Sequence, residues 1–127
     1  MERVVRTADG RALAVREAGD PGGRPVLVHM GTPNSRLLYG PNVADAAARG
    51  LRLISYDRPG YGGSDPQPGR TVADCASDVR AICAALDVQQ LATWGVSGGG
   101  PHVLACAALA TPVPVELAVV VLAPLTR

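Results

Sequence analysis

The chain contains no phenylalanine, and aromatic residues fill only 3% of its 127 positions. Stacking platforms for single-stranded nucleic acid are therefore not built in, and the core must be assembled from Val, Leu, Ile and Ala. Lysine is absent too, since all twelve basic residues are arginines. That excludes the phosphate-binding lysine of a P-loop, a Schiff-base lysine and the lysine of a protein kinase. Against eleven acidic residues the arginines leave a formal net charge of +1. So small a charge leaves no electrostatic footprint for nucleic acid or an anionic membrane. No apolar run approaches the roughly 20 residues that cross a bilayer. The start Met1-Glu2-Arg3 leads into a strand pattern and not the apolar core of a secretory signal. The expected setting is the cytoplasm, with neither a membrane nor a nucleic acid as partner.

Cysteine is scarce as well. Cys75, Cys83 and Cys106 show no metal-ligand spacing, so no metal site is expected, and an odd number argues against a disulfide framework. On a shared helix Cys75 and Cys83 would stand about 12 Å apart, too far to bridge. The three are expected as small buried apolar thiols in a reducing compartment.

What is present is globular: 47% hydrophobic and 18% charged residues, in a length suited to one domain. Alternation from Arg3 to Thr7 and from Arg11 to Glu17 flanks Asp9-Gly10, a hairpin signal. Pro25 to His29, Leu51 to Tyr56, Leu91 to Val96 and Val115 to Leu122 read as short apolar strands of the buried parallel kind. Between them fall helices predicted over Val43 to Arg49, Val72 to Leu86 and Pro101 to Leu109. In the second of these, Val72, Cys75, Val79, Ile82, Cys83 and Leu86 share one face. The alternation implies an α/β fold: a mainly parallel sheet with helices on both faces and an antiparallel hairpin at its N-terminus. In such sheets chemistry collects at the carboxyl ends of the strands.

Three loops lie at those ends. Gly95-Val96-Ser97-Gly98-Gly99 is a G-x-S-x-G sequence between a strand and a helix. Small residues on both sides permit a tight turn that lifts the serine hydroxyl clear of the sheet, and the helix start aims its free N–H groups at the same point. The same residues also read as a glycine-rich helix start with an ordinary capping serine; the strand–turn–helix setting favours the nucleophile. His29-Met30-Gly31-Thr32-Pro33 follows the first parallel strand, and Tyr56-Asp57-Arg58-Pro59-Gly60-Tyr61-Gly62-Gly63-Ser64 follows the second. Together with Ser97-Gly98-Gly99-Gly100-Pro101-His102, this set closely resembles the N-terminal portion of the α/β-hydrolase fold family. Its esterase, lipase and proline-iminopeptidase-like members are the nearest in pattern.

The resemblance implies a hydrolase that transfers an acyl group from a small ester or amide substrate to water through a nucleophilic serine, without a cofactor. Ser97 matches the nucleophile, and Gly95 and Gly99 match the elbow glycines around it. The backbone N–H groups of Gly98 and Thr32 match the oxyanion donors, while Gly31 and Asp57 belong to supporting loops. Asp57 is expected to fix loop geometry and not to transfer protons. One departure is Met30, where the family pattern has a histidine before the glycine.

The larger departure concerns the base. The family's triad runs Ser, then Asp or Glu, then His, and after Ser97 the only acid is Glu116 and the only histidine His102. Glu116 falls at the wrong end of its strand. His102, five residues past Ser97, is turned off the serine's face and is expected as a packed or capping residue. His29 lies beside the serine's strand in the resembled fold, yet strand alternation is expected to turn its ring away. The resemblance thus implies one partial domain over 1–127, without cap, late strands, acid or base, and inactive alone. The alternative is a non-catalytic binding or pairing domain. A nucleotide-binding role fails because neither glycine run reads G-x-G-x-x-G. Strand 115–122, apolar on both faces, is expected to pair with a second copy or with a complementing C-terminal half.

Overall fold

Strand content follows directly from the two hydrophobic periods in the chain. The computed structural model describes residues 1–30, 36–38, 40–109 and 115–121. Six strands, β1 (Glu2–Arg6), β2 (Ala12–Gly19), β3 (Arg24–His29), β4 (Leu51–Tyr56), β5 (Leu91–Val96) and β6 (Val115–Val121), form one sheet in the order β1-β2-β4-β3-β5-β6. The β1–β2 hairpin and the β2–β4 pair are antiparallel, whereas β4–β3, β3–β5 and β5–β6 are parallel. Three helices accompany them: α1 (Gly40–Ala48), α2 (Cys75–Ala85) and α3 (Gly100–Leu109).

The central strands are covered on both faces, as parallel strands require. On one face Val28, Leu53 and Ala46 of α1 are buried, with Val26, Val43 and Trp94 packed against them. On the other, Leu27, Ile54, Tyr56 and Leu91 meet Cys75, Val79, Ile82 and Cys83 of α2 and Cys106 of α3. Successive residues of β3 therefore serve opposite layers, and this parity sends His29 to the side of α2 and α3.

Two predicted helix starts move by three residues, each for a local reason. Helix α1 begins at Gly40, three residues before the predicted start, with Pro41 in its first turn, where a missing N–H costs no hydrogen bond. The predicted helix 72–86 opens instead with a 3₁₀ turn over Val72–Asp74. The Asp74 carboxylate accepts the Thr71 backbone N–H at 2.8 Å and tightens the entry. Val72, assigned above to the buried face, is consequently 42% exposed.

Strand β6 occupies the sheet edge, paired only with β5 among the described strands. Its register slips by one, Leu91 opposing Val115 and Ala92 opposing Leu117, so Glu116 is the extra residue of a bulge. Leu122, the predicted end of this strand, lies outside the described residues. Among the described residues no helix is long and apolar enough to cross a membrane.

A buried carboxylate clamps the entrance of α2. Asp78, fully buried, accepts Nη2 of Arg11 at 2.9 Å and Nη1 of Arg70 at 3.0 Å, joining the hairpin, the long loop and the helix. Without Asp78, Arg11 keeps Asp9 and Arg70 keeps Gln67, but both lose the buried charge that they share. Asp78→Ala is expected to lower unfolding free energy by about 3 kcal/mol, measured by urea denaturation; a loss below about 1 kcal/mol would mean that the two arginines find solvent without penalty.

Candidate functional site

The carboxyl ends of β3, β4 and β5 lie side by side, because His29 pairs with Gly95 and Val28 with Ser55. At the end of β5 the chain turns through a single 3₁₀ turn, Ser97–Gly99, straight into α3. That corner is possible only with glycines. A Cβ at Gly95 would stand 2.5 Å from the Gly99 carbonyl oxygen and 2.7 Å from Cγ2 of Val103. One at Gly99 would enter the van der Waals shell of the His29 carbonyl oxygen. The turn holding Ser97 and Gly98 is thus pressed onto the end of β3. Gly31 and Thr32, expected to complete the oxyanion hole and its loop, lie outside the described residues.

The loop after β4 is organised by Asp57, which is fully buried. Its carboxylate accepts the backbone N–H of Arg36 at 2.7 Å and that of Gly63 at 2.9 Å, and pairs with the Arg36 guanidinium. Gly62, at φ +48°, leaves no space for a Cβ beside this carboxylate. Ser64 Oγ accepts the Ala14 N–H at 2.9 Å and donates to the Asp57 carbonyl at 2.5 Å. Arg58 donates to the Met30 carbonyl at 2.6 Å, tying this loop to the end of β3. Motif reading missed Arg36 and Arg58. Arg58 stands inside the quoted D-R-P-G loop, but its reach to Met30 depends on the β3–β4 pairing.

Both histidines serve the layer under α3. His102 Nδ1–H donates to the Gly98 carbonyl at 2.9 Å, one helical turn back, and its ring stacks on His29 with centroids 5.9 Å apart. The His29 ring meets Tyr56 edge-on at 5.8 Å, and its Nε2 lies 3.6 Å from Cys106 Sγ. His29 Nδ1 and the Tyr56 hydroxyl are buried without a hydrogen-bond partner among the described residues. Burial, helped by His102 and Arg58, pushes the His29 imidazole down to about 3. His102 is lowered as well, again chiefly by burial. Glu116, by its backbone, sits at the end of β6 opposite the corner. Among the described residues no group of three or more His, Cys, Asp or Glu is placed to hold a metal ion.

With this geometry in place, the comparisons with known proteins settle the family. The family model for the alpha/beta hydrolase fold matches residues 24–126, and the chain belongs to that family. It is 36% identical over 119 residues to a non-heme chloroperoxidase of Streptomyces lividans, covering 93% of this chain and 43% of that protein. The structure of a hydrolase from Pseudomonas aeruginosa PA01 superposes with a TM-score of 0.81 at 28% identity, covering 94% of this chain and 44% of that one. An esterase from Exiguobacterium antarcticum gives 0.78 at 25% identity, with coverage of 94% and 44%. The chain spans less than half the length of the curated relatives it matches.

Two measurements probe this region. Gly99→Ala is expected to lower unfolding free energy by at least about 2 kcal/mol. Gly40→Ala, whose Cβ meets nothing within 4 Å at the start of α1, changes it by less than about 1 kcal/mol. Equal, small effects would show that the corner can relax. For His29, the unfolded chain binds a proton below about pH 6.5 that the folded chain refuses until about pH 3. Its contribution to stability is thus whole above pH 6.5 and is lost as pH falls toward 3. Between pH 7 and pH 5 the loss from this residue is about 2 kcal/mol. His29→Leu should flatten the pH dependence of the urea midpoint; an unchanged slope would mean that the buried ring takes up its proton freely.

Proposed function

We propose that this chain carries the nucleophile and oxyanion side of a hydrolase acting on small ester or amide substrates. Ser97 attacks the substrate carbonyl, and the backbone N–H groups of Gly98 and Thr32 receive the oxyanion as it develops. The observation that carries this reading is the glycine-lined corner Gly95–Gly99, set at the carboxyl end of β5 and seated on the carbonyl of His29. Asp57 and Gly31 support the surrounding loops. The buried carboxylate, already engaged by Arg36 and Gly63, fixes geometry and is not available for proton transfer.

Proton transfer needs a base that faces the serine, because a serine hydroxyl is a weak nucleophile unaided. His29 is enclosed by Tyr56, His102 and Cys106, and His102 is bonded to Gly98. We assign the acid and the base to the half of the family's fold that this chain does not span. A pairing role for β6 belongs to the same reading. Its outer edge has no strand partner among the described residues, and Val119 is 42% exposed. That edge would receive the complementing half, as open strand edges do.

A chimera joining residues 1–121 to the C-terminal part of the Streptomyces lividans relative tests both points. It is expected to hydrolyse p-nitrophenyl acetate, with Ser97→Ala lowering kcat/KM at least ~10³-fold. The 127-residue chain alone is expected to stay near the buffer rate and to associate in light scattering. A folded chimera whose Ser97→Ala variant keeps its rate overturns the nucleophile. A monomeric chain that unfolds cooperatively overturns the pairing edge.

A further inference from the structure

We propose that Cys75 and Cys106 are a redox modification site, able to close a reversible disulfide between α2 and the helix that follows the serine turn. Their sulfurs lie 3.6 Å apart, in contact, although 31 residues separate them in the chain. Both are free thiols, and their residues are 0% and 1% exposed. A disulfide needs about 2.05 Å between sulfurs, so the two must close by roughly 1.5 Å.

Buried cysteines are ordinarily inert, because an apolar setting disfavours the thiolate. Cys83 shows that rule, with burial pushing its thiol up to about 11. Cys75 departs from it. Its thiol is lowered, chiefly by the hydrogen bond with Cys106, with Arg70 and Arg58 adding to the effect against burial and the Asp78 carboxylate, while the same contact pushes the Cys106 thiol up. Cys106 in turn has an imidazole nitrogen of His29 3.6 Å from its sulfur. Cys75 is also the first residue of α2, directly after the 3₁₀ turn whose Val72 is exposed.

With hydrogen peroxide as oxidant the step balances. The Cys75 thiolate attacks one peroxide oxygen, the O–O bond breaks, and hydroxide leaves to become water with the proton Cys75 released. Cys75 is then a sulfenic acid. The Cys106 thiol attacks the Cys75 sulfur and gives up its proton. The S–O bond breaks, and the departing hydroxide takes that proton as a second water. Two thiols lose one electron each, and one peroxide is reduced to two waters.

Treatment of the folded chain with hydrogen peroxide, then alkylation in denaturant and mass spectrometry, tests the assignment. The expected product is about 2 Da lighter before alkylation, with a single bridge between the Cys75 and Cys106 peptides, Cys83 alkylated, and full reversal by dithiothreitol. Cys83→Ser should form the same bridge, and Cys106→Ser should form no intramolecular one. Three alkylated thiols after treatment, a bridge through Cys83, or only irreversible oxygen addition at single cysteines would overturn the proposal. Because the unaltered chain and Cys83→Ser both report on the bridge, a poorly folding Cys106→Ser variant leaves the test decisive.

Discussion

The rest of this structure hangs on the close approach of Gly99 to the carbonyl oxygen of His29. Two strand ends cannot be covered by a helix unless the chain between them takes almost no space. The side-chain-free backbone at Gly95 and Gly99 makes that corner possible, and the 3₁₀ turn Ser97–Gly99 completes it. Once the corner is seated, the start of α3 has one place to go. His102 comes to lie over His29, and Cys106 reaches both His29 and Cys75. The serine turn and the buried polar layer beneath it are therefore consequences of one steric constraint.

The second loop is held by charge where the first is held by shape. Asp57 gathers backbone N–H groups from residues 36 and 63 and a guanidinium, which together satisfy a carboxylate that has left water entirely. Asp78 repeats the device one layer away with Arg11 and Arg70. A chain without lysine leans on arginine here for a reason. The guanidinium presents several donors in a fixed fork and is more weakly hydrated than an ammonium, so it accompanies a buried carboxylate better.

The layer under α3 is less fully satisfied. His29 Nδ1 and the Tyr56 hydroxyl lack hydrogen-bond partners among the described residues, close to two thiols in contact. Such groups cost stability when buried. The same layer lies under the serine turn, because Cys106 stands on the helix that follows it.

Much of this was legible in the sequence. Strand and helix alternation follows from apolar periods of two and of three to four, and the first turn from Asp9-Gly10. The G-x-S-x-G corner followed from the need for small residues where a strand meets a helix at once. The predicted strands β4 and β5 match the observed bounds because turn residues flank each tightly. The Thr71-Val72-Ala73-Asp74 spacing of a capping box was there to be read at the entry of α2, but the sequence could not bring Arg36 and Gly63 to Asp57. Nor could it pair Cys75 with Cys106 or enclose His29. Those outcomes depend on strand order and on which face each residue of β3 presents, and sheet parity is set only when β4, β3 and β5 align. Local spacing determines which elements form; contacts between residues far apart in the chain exist only after the sheet has chosen its order.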